Sequence, residues 1–483
     1  MPGNGQPRSS SPPPDKAPKL PSVKRSSRPA SPATSRRDFL RTTAIASSAF
    51  LAGCQTRTAS VLTPSDRAKV RLAVIGIGGR GDQIIEAFAQ TDLVEFVAAA
   101  DVDLHGPHTA GGRAKLGGIP MYQDFRDMLD RHGRGIDAVA IATPDHSHFP
   151  LAMACMAAGK HVYVEKPLAQ SFQEVEILIE QARRTGVVTQ MGNQGHSGAN
   201  YFQFKAWSEA GIIKEVTRVD AYMNSARRWH GWDISGFPTG ETPPDTIDWD
   251  LWQMGRPSHE FSEKFHPGNW RSWFAYGSGA FGDWAPHIVD TAHRFLELGL
   301  PEKISAERRD GPNEFIFPQA STIRFSFPAR GAHPPCDILW QDGIENLPSL
   351  PREEGPNPER QPHGKYIYSH DHVFKGGTHS ATLRILPTTK MRELAPALPR
   401  ITGRHSDHFA NFALACLGRE DARSPFGVSG PLSQVFLLGI IAQRLGGDFR
   451  FDRATKRFVA HPLANDLLGG PPPRPGWESL YRI

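Results

Sequence analysis

Along the first part of the chain, short apolar runs alternate with stretches whose apolar residues recur at helical spacing. Val70 to Ile75 is such a run, suited to a strand buried on both faces, and Asp82 to Gln90 follows with Ile84, Ile85 and Phe88 on one stripe. Glu95 to Ala100 predicts a second strand, Phe125 to His132 a short amphipathic helix and Ala138 to Ala142 a third strand. Leu151 to Ala158 then predicts a helix closed by Gly159, and His161 to Val164 a further strand. Strand and helix in alternation predict a parallel, doubly wound sheet. The pattern changes after residue 190. Val216 to Met223 alternates as a half-buried strand does, Thr322 to Phe327 and Asp337 to Trp340 predict strands of a second sheet, and His405 to Cys416 and Ser433 to Arg444 read as helices. Pro471 to Ile483 reads as a tail that clasps the body through Trp477.

The punctuation between these elements carries the chemistry. Gly76, Gly78 and Gly81 form G-x-G-x-x-G, with Gly79 and Arg80 inside it, between the first strand and the first helix. The first glycine permits the turn, the second admits a pyrophosphate to the backbone, and the third allows close packing of helix on strand. Asp101 closes the second strand about 20 residues on, where this fold places the carboxylate that binds a ribose 2′-hydroxyl. Thr143-Pro144-Asp145-His146-Ser147-His148 is a turn at the carboxyl end of a strand, the side on which such sheets bind ligands, and His148 is a candidate contact there. His161 to Val164 delivers Glu165-Lys166-Pro167. Pro167 keeps Lys166 extended, so its ammonium stands at the strand tip, where it can hydrogen-bond a substrate hydroxyl.

From Asp283, positions 283, 287, 290 and 294 share one helical face, and they are Asp, His, Asp and Arg. Asp283 is also a natural N-cap. An imidazole one turn from a carboxylate suits His287 to general-base work on a hydroxyl. Val188 to Gly198 reads as a strand running into a loop, where Asn193, Gln194 and His196 are candidates to contact cofactor or substrate. Six of the ten tryptophans lie between Arg227 and Trp273; most are expected to pack a long irregular loop, with one or two left to stack on a sugar. Arg271 is a candidate for an acidic group of the substrate.

Composition then removes alternatives. Residues 1–34 are rich in Pro, Ser, Lys and Arg and predict disorder. Ser35-Arg36-Arg37-Asp38-Phe39-Leu40, followed by a mildly apolar stretch to Leu51-Ala52-Gly53-Cys54, resembles a bacterial twin-arginine export signal closed by a lipobox. On that reading Cys54 is lipidated and the protein is periplasmic or anchored on the outer side of the cytoplasmic membrane. Removing residues 1–53 leaves 46 basic and 48 acidic side chains, so the net charge of +5 comes from the leader and does not point to nucleic acid. Cys155, Cys336 and Cys416 lack C-x-x-C spacing and read as buried thiols. His405 and His408 have no evident partner acid and read as a solvated face; no metal site is expected.

These motifs, in this order and spacing, resemble the glucose-fructose oxidoreductase, inositol dehydrogenase and rhizopine-catabolism (Gfo/Idh/MocA) family. The matching segments are Gly76 to Gly81, Ala142 to His148, Glu165 to Pro167 and the D-x-x-x-H of Asp283 and His287. The resemblance, best from Arg71 to Leu300, implies an α/β protein: an N-terminal Rossmann domain followed by an α+β domain with an open mixed sheet. It implies catalysis by Lys166, Asp283 and His287. It implies NAD or NADP held by Gly76, Gly78, Gly79, Arg80, Gly81, Asp101, Thr143, Pro144, His148, Glu165, Lys166 and Asn193. Gln194, His196, Arg271 and Asp290 are the substrate candidates. An exposed sheet face, by which such proteins form homo-oligomers, is implied as well. The expected layout is a leader over 1–54, the nucleotide domain over 66–190, an α/β substrate and oligomerisation domain over 191–445, and the tail over 446–483.

The expected activity is oxidation of a secondary hydroxyl of a sugar, sugar derivative or cyclic polyol, with NAD favoured because Asp101 repels a 2′-phosphate, although Arg113 lies nearby. Twin-arginine transport carries folded proteins, so the cofactor is expected to travel bound and to be regenerated in place. A second substrate can take the hydride, or one substrate can be oxidised and re-reduced in a redox-neutral glycosidase or epimerase. A carbohydrate-binding lipoprotein without turnover is the non-enzymatic alternative.

Overall fold

The computed structural model describes residues 68–225, 228–354, 361–401 and 405–482. The leader, including the Arg36-Arg37 pair and Cys54, lies outside them.

β1 (Val70–Ile75), β2 (Val94–Ala100), β3 (Met121–Tyr122), β4 (Ala138–Ile141), β5 (His161–Val164) and β6 (Thr189–Met191) form a six-stranded sheet in the order β3-β2-β1-β4-β5-β6. All its pairings are parallel. Helices on both faces explain why β1, β4 and β5, apart from Arg71 and His161, are apolar instead of alternating. The strand order reverses between β1 and β4, and the carboxyl ends of these two strands open the crevice. Gly81 is required here. A Cβ on it would lie 2.0 Å from the Gly76 carbonyl oxygen, so only glycine lets the helix Arg80–Gln90 start this close to β1.

The second sheet has nine strands in the order β13-β12-β11-β7-β10-β9-β8-β14-β15. These are β7 (Arg218–Met223), β8 (Lys303–Asp310), β9 (Ala320–Phe327), β10 (Cys336–Asp342), β11 (His363–Tyr368), β12 (Val373–Gly376), β13 (Arg384–Leu386), β14 (Gly447–Asp452) and β15 (Arg457–Phe458). It is mixed: β7 and β10 run parallel, and the other pairs are antiparallel. The helix Phe426–Leu445 is apolar around most of its circumference because it is a core element, packed against the helix Phe172–Thr185 on one side and β8 and β9 on the other. It extends the helix expected over Ser433 to Arg444 by about two turns. The tail docks as expected, with Trp477 buried and the Tyr481 hydroxyl donating to Glu174 (3.2 Å). Cys155 and Cys336 are buried, Cys416 is partly buried, and all three are free thiols.

Two expectations are corrected. The helix expected to run on from Asp283 is two helices, Gly279–Ile288 and Asp290–Phe295, interrupted at Val289. Asp283 is not its N-cap but lies in its second turn, with Ser278 at the cap position. His408 is not on a solvated face. It is buried, with Ser197 Oγ 2.8 Å from Nδ1 and the Met191 carbonyl 2.8 Å from Nε2, because Asp407 caps the helix His408–Cys416 and turns its first residue inward. His405 is exposed and stacks on Phe202.

Candidate active site

At the tip of β5, Lys166 projects across the crevice and its Nζ donates to Asp283 Oδ1 at 2.6 Å. The other oxygen, Oδ2, accepts from Nη2 and Nε of Arg228 at 2.7 and 3.0 Å. Burial by itself would raise the Asp283 pKa, but Lys166, Arg228 and Arg271 outweigh it and hold the carboxyl well below the usual range. Asp283 is therefore a fixed anion between cations. One turn further, His287 is buried, and burial together with the Lys166 charge and His379 holds its pKa well below that of a free imidazole. Its Nδ1 has no hydrogen-bond partner among the described residues. A neutral imidazole beside an ammonium–carboxylate pair is suited to accept a hydroxyl proton.

Behind Lys166, Glu165 pairs with Arg80 (Nη2–Oε1 2.9 Å) and accepts from Gln194 Nε2 (3.1 Å), which also reaches the Tyr163 hydroxyl (3.1 Å). Arg80 thus braces the Glu-Lys-Pro segment from the glycine-rich turn. His148 has a related task, which corrects its expected place against the cofactor. It is buried, with Nδ1 2.7 Å from the Pro167 carbonyl and Nε2 2.9 Å from the Thr143 carbonyl, so it ties the β4 turn to the lysine segment.

A cavity of about 310 Å³ runs from Lys166 and Asp283 along the crevice, with Gly76, Gly78, Gly79, Asp101, Thr143 and Pro144 on the nucleotide-domain wall. Trp252, His266, Trp270 and Arg271 form the facing wall. The site fits a dinucleotide. Gly79 precedes the helix Arg80–Gln90 with φ +51°, no side chain caps that helix, and the space where its Cβ would stand is open, which leaves room for an anion at the helix N-terminus, although the Gly81 N–H donates to the Gly78 carbonyl (2.8 Å). Asp101 is held by the N–H groups of Ile77 (2.9 Å) and Asp103 (3.0 Å). Most of the tryptophans pack the segment over the crevice, as expected: Trp252, Trp270 and Trp273 are buried, and Trp249 stacks on Trp252. Arg271 lies over Trp270, 4.1 Å from the ring centroid, and reaches the cavity.

His196 and Asp290 are not brought to the cavity as substrate contacts. They are buried and committed to each other, His196 Nδ1 lying 2.9 and 3.0 Å from the two carboxylate oxygens, because the break at Val289 turns Asp290 away from the face of Asp283. Asn193 is also buried, accepting from Ser424 Oγ (2.7 Å). Sequence reasoning missed Arg228, His379 and the triad Asp103–His108–His266. In that triad, His266 Nε2 lies 3.0 Å and His108 Nδ1 3.4 Å from Asp103 Oδ2, joining the Trp-rich segment to the loop after β2. None of the three sits in a recognisable spacing.

Residues 70–193 match the family model described as oxidoreductase family, NAD-binding Rossmann fold (GFO_IDH_MocA). The match covers the glycine turn and the strands and helices around it, about a quarter of the chain. Over 124 residues it is 34% identical to the 4-carboxy-2-hydroxymuconate-6-semialdehyde dehydrogenase of a Sphingobium species, covering 26% of this chain and 38% of that enzyme. Over 179 residues it is 31% identical to a glycosyl hydrolase family 109 protein of Streptomyces filamentosus, covering 36% of each. The chain thus spans well under half the length of these curated relatives. The solved structure of the WlbA dehydrogenase from Chromobacterium violaceum, in complex with NADH and UDP-GlcNAcA, superposes with a TM-score of 0.55 at 14% identity, covering 82% of this chain and 99% of that one. The likeness in fold therefore extends across both sheets.

Proposed function

We propose that the protein is an NAD-dependent oxidoreductase acting on a secondary hydroxyl of a sugar, sugar derivative or cyclic polyol. The observation that carries this reading is the 2.6 Å contact, at the end of the glycine-lined cavity, between Lys166 at the tip of β5 and Asp283, with neutral His287 one helical turn behind Asp283. The backbone of Gly76 to Gly79 and the N-terminus of the next helix would hold the pyrophosphate, and Asp101 the ribose. When bound, the cofactor supplies a hydride acceptor and donor. Lys166 donates a hydrogen bond to the substrate oxygen and stabilises its alkoxide character, His287 takes the hydroxyl proton, and Asp283 keeps Lys166 charged and aimed. NAD is favoured over NADP because Asp101 lines the cavity while Arg113 is spent on the carbonyls of Leu104 and Gly106 and the Thr109 hydroxyl.

A redox-neutral glycosidase is the second reading, favoured by the family 109 relative and by the segment Trp252 to Arg271 that walls the crevice. There the substrate would be oxidised, eliminated, hydrated and re-reduced without net change in the cofactor. One experiment tests both readings: denature freshly purified protein, identify any released nicotinamide, and record its redox state before and after incubation with sugars and glycosides. Net reduction by a sugar supports the oxidoreductase, and cleavage of a glycoside with unchanged cofactor supports the glycosidase. A protein that neither holds nor binds NAD refutes both. Export through the Arg36-Arg37 leader and lipidation at Cys54 belong to the same proposal. Cell fractionation that leaves the protein in the cytoplasm would remove them.

A further inference from the structure

His379 lies outside every motif above, in the loop between β12 and β13. We propose that it is a positioning residue for His287, fixing the plane of that ring and screening it from water so that it remains a proton acceptor. This rests on the reading of His287 as the base.

The placement of His379 is over-determined. Its backbone has φ +51°, in the left-handed region that glycine favours, so a side chain is kept there against a conformational cost. Its N–H donates to the His287 carbonyl (3.0 Å), and the Thr378 hydroxyl donates to the same oxygen (3.4 Å) and lies 3.0 Å from His379 Nδ1. The two rings are stacked, with centroids 4.0 Å apart and planes 16° from parallel, and Trp284 meets the edge of His379 at 6.0 Å. The loop is seated on the turn after β6, where a Cβ at Gly195 would lie 2.9 Å from the His379 carbonyl oxygen and one at Gly198 would lie 2.1 Å from Ser380 Oγ. Strain kept at a ring stacked on a candidate base points to a function for that ring.

The charges around the pair act in one direction. Lys166, Arg80 and His379 face His287, and Lys166, Arg80 and His363 face His379; only Asp283 favours an imidazolium at either ring. Taking His379 away opens the face of His287 to water and weakens the burial that is the main reason it stays unprotonated.

The test is titration of the His287 imidazole by NMR in the full-length protein labelled on histidine, with the signal assigned by His287→Gln. In the wild type the ring stays neutral to the acid edge of folding. In His379→Gly, whose backbone is relaxed at this φ, the melting temperature is kept or raised and a His287 midpoint comes into view at least about one pH unit above the acid edge of folding, a gain of at least tenfold in proton affinity. His379→Asn, which tolerates the left-handed region but offers no ring face, gives the same direction. A folded His379→Gly protein whose His287 ring still stays neutral to the acid edge of folding overturns the proposal. If that variant does not fold, the Asn variant decides in the same way. The titration needs no substrate, so a failed activity assay would count against the proposed function and leave this result standing.

Discussion

Lys166 and Asp283 answer different questions when changed. Lys166→Met removes the proposed donor to the substrate oxygen while leaving the glycine turn intact, so turnover is expected to fall roughly 10²–10⁴-fold with cofactor affinity nearly unchanged. Steady-state kinetics together with NAD binding by calorimetry checks this. Asp283→Asn leaves Lys166 and Arg228 facing each other without their anion, and a loss of about 3 kcal/mol in stability is expected along with activity, read as a lowered urea midpoint. Because the Asp283 carboxyl is held well below its ordinary pKa, its stabilising contribution is complete above that ordinary value and is lost only as pH falls towards the depressed one. The motif residues were legible because the spacing of glycines, a strand-ending Glu-Lys-Pro and Asp-x-x-x-His constrain backbone and side chain together. Arg228 and His379 were not, since each reaches the site from an irregular loop whose path no periodicity encodes.

At the level of elements, Glu174 joins three pieces of chain. It is the third residue of the helix Phe172–Thr185 and completes a capping box with Ser171, receiving the Ser171 N–H at 3.0 Å. It also accepts from Arg256 Nη2 at 2.7 and 2.9 Å, inside the Trp-rich segment, and from the Tyr481 hydroxyl of the tail at 3.2 Å. Glu174 and Arg256 are both almost completely buried, so removing one partner strands the other. Arg256→Ala is therefore expected to cost about 3–5 kcal/mol and to loosen the wall of the cavity, measurable as a lower melting temperature and faster hydrogen exchange between Trp249 and Trp270. The capping box S-F-Q-E is readable in the sequence. That its glutamate also anchors a segment 82 residues away and a tail 307 residues away depends on the tertiary fold.

For the whole molecule, stability should depend on pH through histidines buried where pieces of the fold meet. His146, hydrogen-bonded to the Trp252 carbonyl (2.8 Å), is pushed down to about 3 by burial, and His408, between β6 and the helix it begins, to about 4. In the unfolded chain both take up a proton near pH 6.5, so above that pH they cost nothing, and stability falls as pH drops from about 6.5 towards the folded values. His408 alone accounts for on the order of 3 kcal/mol across that window. Urea unfolding at pH 7.5 and pH 5 should show the loss, and His408→Gln should shrink the difference. A bound dinucleotide acts in the other direction: NAD at about 100 times its dissociation constant adds about 2.7 kcal/mol, seen as a raised melting temperature.

The order of strands and helices through His161 to Val164, the glycine turn, the acid after β2, the lysine at the tip of β5 and the buried thiols follow from the sequence alone, because each depends on local periodicity or on a backbone conformation few residues adopt. The tertiary structure alone decided which polar groups face the crevice. The break at Val289 sends Asp290 to His196, His148 is taken up by two carbonyls, and His408 turns inward. Such outcomes depend on contacts between residues tens to hundreds of positions apart, where the cost of leaving a buried polar group unpaired, and not any local spacing, chooses the partner.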